Sequence, residues 1–374
     1  MKLTIPTAHL VKALSTLAPL ARGNRLPILD NVLIRTTDDG RLAISATNLD
    51  IYATTYPTGA KITTPGAITC RLRPVLELLK AAQSTDSTLD DIHITLGATT
   101  YPHVAPLPPA DFVPIPDLGK ETAHWSPHSS DLYAGLAQCA PFQSDEPSRF
   151  ILNGVCLDLP KNRLISSDGR RLALFQISGC GSTTPARPVL PSAAVKFLLP
   201  LLKRQSGAVF IEHNQEKLRV ILPDGTAITT TLIQGEFPDV DPVLPKNKEL
   251  RPAVLIPRVA CLAAVARIRA LMPKKIKENL NSIHDESHLW AIKPDTRSGA
   301  LALNQETLPL PAGAPTLKHP LALRADYLET ILETHNAPTL QLHVKDECSA
   351  VGFTATDNPL AVWLSPMRIP ATTK

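Results

Sequence analysis

No run of about eighteen apolar residues occurs in this chain, so no segment of it reads as a membrane-spanning helix. The stretch Met1 to Leu10 lacks the basic start, apolar core and small-residue cleavage site of a secretory signal, which leads to the expectation of a cytoplasmic protein. The phosphate-cradling Gly-x-x-x-x-Gly-Lys, the dinucleotide-binding Gly-x-Gly-x-x-Gly after a strand and the nucleophile elbow Gly-x-Ser-x-Gly are all missing. The common nucleotide-hydrolysing, dehydrogenase and serine-hydrolase chemistries therefore have no sequence basis. No Cys-x-x-Cys pair exists either. The cysteines at 70, 139, 156, 180, 261 and 348 are dispersed and read as small apolar core residues, not as disulfides or metal ligands. Net charge is slight, +4 from 38 basic and 34 acidic residues, so there is no polybasic tail to grip nucleic acid.

What is present is a threefold repeat. A first amphipathic helix carries Leu10, Leu14 and Leu17, and its i, i+4, i+7 stripe returns as Leu132, Leu136 and Cys139, then as Val259, Ala263 and Ala266. A second helix follows in each copy, marked by Leu72, Leu76 and Leu79, by Ala194, Leu198 and Leu201, and by Leu328 and Ile331 one turn after Arg324. Strand alternation fills the intervals at Asn31 to Ile34, Leu42 to Ser45, Gly154 to Leu159 and Leu340 to Val344. Asp38-Asp39-Gly40 and Pro223-Asp224-Gly225 read as hairpin turns, and the 36 prolines fit many strand ends. Three α+β domains of mainly antiparallel sheet follow, at 1–122, 123–250 and 251–374. Three copies in a row suggest an arc around something.

The joints carry a shared signature. Pro108-Pro109-Ala110-Asp111-Phe112-Val113-Pro114 and Gly235-Glu236-Phe237-Pro238-Asp239 are acidic-Phe-Pro exits, in which the ring anchors the departing chain and proline holds it extended, with linkers at about 115–124 and 243–252. Basic residues gather in or beside the helices: Lys12, Arg22 and Arg25; Arg71, Arg73 and Lys80; Lys196, Lys203 and Arg204; Arg258, Arg267, Arg269, Lys274, Lys275 and Lys277. If the helices share one face, that face is positive; singly, each residue reads as part of a solvated helix face. The spacing most like a metal site, His284-Asp285-Glu286-Ser287-His288, has Asp285 where a zinc protease needs Glu and reads as a polar loop before a strand at Leu289. Asp168 beside Arg170 and Arg171 reads as a turn-stabilising ion pair.

Several segments resemble the bacterial DNA polymerase III beta subunit family, the sliding clamps. They are Met1-Lys2-Leu3-Thr4-Ile5 with His9-Leu10, Leu26 to Asn31, Thr47-Asn48-Leu49-Asp50, Arg149 to Gly154, Ser167 to Ala173, Phe237-Pro238-Asp239 through Val243-Leu244-Pro245, and Pro366-Met367-Arg368-Ile369. The resemblance implies three tandem clamp domains forming half of a six-domain homodimeric ring, with two helices per domain lining a hole for duplex DNA. It implies no enzymatic activity and no cofactor. The partners it implies are DNA without regard to sequence, a second copy of the chain, the DNA polymerase III core, the clamp loader and other proteins carrying a clamp-binding motif. The implied DNA contacts are Arg22, Arg25, Arg73, Lys80, Arg149, Phe150, Lys196 and Lys203. The implied peptide pocket comprises Leu152, Ser167, Gly169, Arg170, Arg171, Leu172, Pro238, Val243, Tyr327, Trp363, Pro366, Met367, Arg368 and Ile369. Trp363 is bulkier than the resemblance leads one to expect, and Ser365 stands where an apolar residue is usual. Two rival readings are an accessory or mobile-element clamp serving another polymerase and, more remotely, a metal-dependent hydrolase on the same scaffold.

Overall fold

Strands here run straight into helices, and proline marks the change. In the first copy β1 (Lys2–Pro6) is followed without a loop by α1 (Thr7–Leu17), then β2 (Asn31–Thr36), β3 (Leu42–Thr47), β4 (Ile51–Thr55), β5 (Lys61–Thr64), β6 (Ala67–Arg71), α2 (Leu72–Ala81), β7 (Asp86–Asp90), β8 (His93–Leu96) and β9 (Thr99–Pro102). The second copy gives β10 (Ala123–Trp125), α3 (Ser129–Cys139), β11 (Gly154–Asp158), β12 (Arg163–Ser167), β13 (Arg171–Gln176), β14 (Val189–Pro191), α4 (Ser192–Leu202), β15 (Phe210–His213), β16 (Lys217–Ile221) and β17 (Ala227–Thr231). The third gives β18 (Val254–Pro257), α5 (Arg258–Leu271), β19 (Leu289–Pro294), β20 (Leu301–Leu303), β21 (Glu306–Leu308), β22 (Leu321–Arg324), α6 (Ala325–Thr334), β23 (Thr339–His343), β24 (Val351–Ala355) and β25 (Asn358–Leu364). Pro6, Pro191 and Pro257 each close a strand in extended conformation just where a helix begins, a position in which the missing N–H costs no ladder bond.

The computed structural model describes residues 1–22, 26–103, 106–119, 123–179, 181, 185–244, 254–271, 289–294, 301–303, 306–308, 321–346 and 349–366. These fall into two compact units, Met1–Tyr133 with Gly179–Gln234, and Ala134–Ser178 with Gly235–Lys374. The second repeat is thus divided between them.

Strand pairing explains this division. In each copy the outer strands pair in one order: β1-β7-β8-β9 with β5 added outside β1, then β10-β15-β16-β17, then β18-β23-β24-β25. The strands following the first helix pair as β6-β2-β3-β4, β11-β12-β13 and β22-β19-β20-β21. Two junctions then fuse copies into continuous sheets. In the first unit β4 pairs antiparallel with β17, Thr54 opposite Ala227 and Ile51 opposite Thr230. In the second unit β13 pairs antiparallel with β25, Arg171 opposite Leu364 and Phe175 opposite Leu360. Both junctions join the same two strand roles. The strands of those roles left at a sheet end are β9 and β21.

The helices bury the stripes that the sequence marks, with two departures, one residue in α4 and the whole stripe of α5. Leu10, Leu14 and Leu17 are buried in α1, and Leu72, Leu76 and Leu79 in α2, which packs on α1. Leu132, Leu136 and Cys139 are buried in α3, Leu328 and Ile331 in α6. In α4 Leu201 is only half-buried and Leu202 takes the core position. In α5 the expected stripe is wrong: Val259 is 65% exposed and Ala263 and Ala266 are exposed, while Cys261, Ala264 and Val265 are buried. Alanines at every turn of that helix carry too little apolar contrast to mark a face. Cys70, Cys139, Cys156 and Cys261 are buried cysteines, and burial pushes the thiols of Cys70, Cys139 and Cys261 up to about 12, which keeps them protonated. Cys180 and Cys348 lie outside the described residues.

The turns and joints follow the sequence closely. Gly40 and Gly225 take φ of +79° and +83° in the two hairpins. Phe112 and Phe237 are buried, as anchors should be. The first linker is tied down: Arg219 Nη2 donates to the Pro116 carbonyl at 3.0 Å and Asn214 Nδ2 to that of Leu118 at 2.9 Å. Residues 245–253 of the second linker lie outside the described residues. No helix of the described residues is long and apolar enough to cross a membrane.

One core residue makes stability depend on pH. His335, at the C-terminal end of α6, is 0% exposed, and neither ring nitrogen has a hydrogen-bond partner among the described residues. Burial first, and the Arg258 charge second, hold its pKa down from 6.5 to about 4. The folded state therefore binds this proton less readily than the unfolded chain. Its contribution is fully present above pH 6.5 and is lost as pH falls towards 4, up to about 3 kcal/mol. Urea unfolding at pH 7 and pH 4.5 should show a shallower loss for His335→Leu than for the parent chain; parallel losses would remove His335 from the account.

Candidate functional site

Five segments of the second unit meet at the turn between β12 and β13. Asp168 organises the turn: its Oδ1 accepts the backbone N–H of Arg170 at 2.9 Å and of Arg171 at 2.7 Å, and its Oδ2 accepts Arg171 Nε at 2.8 Å. Ser167 Oγ donates to the Arg171 carbonyl at 2.7 Å and accepts the Gly169 N–H at 3.0 Å. Gly169 stands at φ +86°, a backbone conformation that favours glycine, and a Cβ there would lie 2.6 Å from Arg149 Nη1 and push that guanidinium aside. Arg149 reaches over from the 3-10 turn Pro147–Leu152. Its Nη1 donates to the Asp168 carbonyl at 2.8 Å and its Nε pairs with Glu146 at 3.2 Å.

The chain approaching Phe237 passes beside that same 3-10 turn. A Cβ on Gly235 would sit 3.3 Å from Ile151 Cδ1 and 3.9 Å from Phe150 Cε2. Past Pro238, Asp241 fixes the segment by pairing with Lys161 and, at 2.9 Å, with Arg163 Nη2, while Arg163 Nε holds Asp158 at 2.6 Å. Burial works against the Arg163 charge, but its two carboxylate partners outweigh it and raise its pKa. The hydrogen bond from Lys161, then that from Arg163, lowers the Asp241 carboxyl below its ordinary value. Val243 follows, 62% exposed.

The β13–β25 junction supplies the apolar floor. Leu172 lies opposite Trp363, and each is 8% exposed. Trp363 is in turn opposite Gly352 of β24, where a Cβ would meet the indole at 2.5–2.9 Å. Its ring therefore lies directly on bare backbone. Arg171 is held over Tyr327 at 4.3 Å and Phe142 at 5.4 Å, and Arg324 lies over the same Tyr327 at 4.1 Å while gripping Asp326 at 3.0 and 2.7 Å.

Of the residues expected in the pocket, Ser167, Gly169, Arg170, Arg171, Leu172, Tyr327 and Trp363 are thus joined by direct contacts or strand pairing. Leu152, Pro238 and Val243 stand on the two segments that reach the turn through Arg149 and Gly235. Pro366 is half-buried next to Ser365, while Met367, Arg368 and Ile369 lie outside the described residues. The ion pair expected at Asp168 is present with Arg171. Gly352 and the Arg163–Asp241 pair were missed by sequence reasoning. A glycine inside an apolar strand is the signal that could have found the first.

The expected DNA contacts divide into two kinds. Arg22, Lys80, Lys196 and Lys203 are exposed on or next to helices, Lys80 in the last turn of α2, where the helix dipole favours a cation. Arg73 and Arg149 are exposed but engaged. Arg73 Nε donates to the Ala21 carbonyl at 3.0 Å and Nη2 to that of Ala18 at 3.4 Å, just past the C-terminal end of α1. Arg149 braces the Ser167–Arg171 turn, as described, and its neighbour Phe150 is exposed. Arg25 and the His284–His288 segment lie outside the described residues.

Comparison with known proteins gives a consistent result. The sequence model of the DNA polymerase III beta subunit N-terminal domain matches residues 1–94, and that of its central domain residues 136–239, together more than half of the chain. The beta sliding clamp of Salmonella typhimurium is 24% identical over 382 residues, covering 99% of this chain and all of that protein. Among solved structures, the DNA polymerase beta subunit of Streptococcus pyogenes superposes with a TM-score of 0.83 at 17% identity, covering 99% of this chain and 100% of that one. The sliding clamp of Bartonella birtlesii bound to griselimycin gives 0.80 at 23%, with 99% and 100% covered. The repeated pair of helices on junction-sharing sheets is therefore the fold of a DNA sliding clamp. With both sequence models matching in order along it, the chain belongs to the DNA polymerase III beta subunit family.

Proposed function

We propose that this chain is a DNA polymerase processivity factor that works as a closed ring of two copies around duplex DNA. The observation that carries the reading is the repeated junction. At β4–β17 and at β13–β25 the same two strand roles pair antiparallel, and β9 and β21 are the strands of those roles left at sheet ends. A second copy supplies the complementary ends: β21 of one pairs with β9 of the other, twice, and two chains of three repeats, bounded at 122 and 250, close a six-domain ring. Such a contact is head-to-tail, and closure removes the exposed edges.

Within the ring the exposed Arg22, Lys80, Lys196 and Lys203 touch phosphates weakly and without reading bases, so topology retains the clamp while it slides. The work is tethering, with no reaction catalysed. The pocket around Leu172 and Trp363 takes an apolar anchor from short peptides of the DNA polymerase III core, the clamp loader and other clamp-binding proteins, and its occupant in this reading includes griselimycin, the ligand of the Bartonella relative. The setting is the cytoplasm, where the chromosome is copied.

The test is solution mass together with retention. The protein should run at twice 40.4 kDa, and once loaded should persist on nicked circular DNA but run off linear DNA. A monomer, or equal loss from both templates, rejects the ring.

A further inference from the structure

We propose that a cavity beside the first fused junction binds a small zwitterion of about amino-acid size, held between Lys12 and Asp224. The cavity measures about 240 Å³ and lies wholly in the first unit, where α1 faces the chain leaving β4 and the hairpin between β16 and β17. A cavity of about 150 Å³ is enough for benzene, so this one has room for a ring and a charged head. The peptide pocket proposed above belongs to the other unit, and neither it nor ring closure is needed for this site.

Folding alone brings the two charges to one cavity, α1 coming from the first repeat and the hairpin from the second. Asp224 is fixed in the hairpin turn, its Oδ1 accepting the Thr226 N–H at 3.0 Å and its Oδ2 accepting Gln205 Nε2 at 2.8 Å. Burial works against its charge, but these hydrogen bonds and then the Lys12 charge outweigh it and hold the carboxyl below its ordinary value. Lys12, exposed on α1, feels that carboxylate, yet among the described residues the two form no ion pair. Opposite charges that share a cavity without joining are the complement of a molecule that carries both.

The rest of the wall is already in place. His9 Nδ1 donates to the Thr58 carbonyl at 2.8 Å, which pins the chain after β4 to α1. Arg41 covers Tyr56 at 4.7 Å from the ring centroid and is not part of the wall, so the cavity meets the remaining surface of that ring. Thr55 also lines the cavity. It is 5% exposed, and its hydroxyl has no hydrogen-bond partner among the described residues. A buried hydroxyl without a partner is unfavourable, and one rotation about χ1 turns it towards a ligand that supplies the missing bond.

The experiment titrates the full-length protein with L-phenylalanine, and with 3-phenylpropionate and phenethylamine, each of which lacks one of its charges. Calorimetry at pH 7 should give a dissociation constant below about 1 mM for phenylalanine and about tenfold weaker binding for either control, the loss of one charge-assisted contact. Lys12→Gln should bring phenylalanine down to the level of phenethylamine, and Asp224→Asn to that of 3-phenylpropionate, while each variant leaves its matching control unchanged. Both side chains are exposed, so the fold survives either change. Thr55→Val should weaken phenylalanine binding without lowering the unfolding temperature, because the hydroxyl it removes has no bond to lose. Absence of saturation by phenylalanine, equal binding of the three compounds, or an affinity that survives both charge variants overturns the proposal. If Lys12→Gln alters only the salt dependence of DNA retention, the ammonium serves phosphate and the proposal fails as well.

Discussion

In the proposed pocket, Leu172→Asp should lower the affinity for apolar-anchored peptides by at least about 30-fold, the roughly 2 kcal/mol that marks a central contact of an interface. The reason lies in the floor of the site. Leu172 is 8% exposed and faces Trp363 across the β13–β25 ladder, so a carboxylate there loses most of its water and meets an indole instead. The backbone ladder itself does not depend on the side chain. Solution mass should therefore stay that of the parent, although thermal stability falls by a few degrees because the charge is also poorly solvated in the free protein. Fluorescence polarisation with a labelled ligand reads the affinity, and an unchanged dissociation constant would remove Leu172 from the site.

Thr100→Pro should weaken association of two copies by about tenfold or more, through one lost ladder bond and the bulk of the ring. The choice of position follows from the hairpin. Gly97, at φ +60°, leads a two-residue turn that makes Leu96 and Thr99 a hydrogen-bonded pair, and alternation makes Thr95 and Thr100 a non-hydrogen-bonded one. The two threonine hydroxyls lie 3.1 Å apart, as the closer side chains of such a pair should. The Thr100 N–H therefore points away from β8, towards the open side of β9. Proline there removes an outward donor while sparing the β8–β9 ladder. On dilution the variant should pass from twice 40.4 kDa to 40.4 kDa at higher concentration than the parent. Identical dilution curves would show that β9 is not the contacting edge.

The sequence made the repeat, the class and most helix faces legible because these rest on local periodicity. Leu10, Leu14 and Leu17 are leucines among polar neighbours, so the 3.6-residue period stands out; in α5 the alternation of alanines left nothing to read, and Val259 was placed inside when it lies outside. The Asp168 turn was readable since an Asp followed by Gly and two arginines is a self-contained unit. The junctions were not. Pairing of β4 with β17 joins residues more than 170 positions apart, Thr54 and Ala227, and nothing in either strand names the other. The part played by Arg149 was hidden for a related reason. A basic residue on an exposed turn suggests phosphate, whereas the carbonyl it binds, that of Asp168, becomes its neighbour only through folding. Gly352 likewise acquires its meaning only from the ring lying on it.

The two fused sheets carry a consequence for origin. A solitary repeat of this design presents one edge of each kind, a β4-like strand and a β9-like strand, so it is complementary to its own copies head to tail. Six identical small proteins of this kind could therefore close the same circle that the proposed ring builds from two chains of three linked modules. In the proposed ring, fusion of the modules leaves the seams chemically alike while reducing to two those that lie between separate chains and can part to admit DNA.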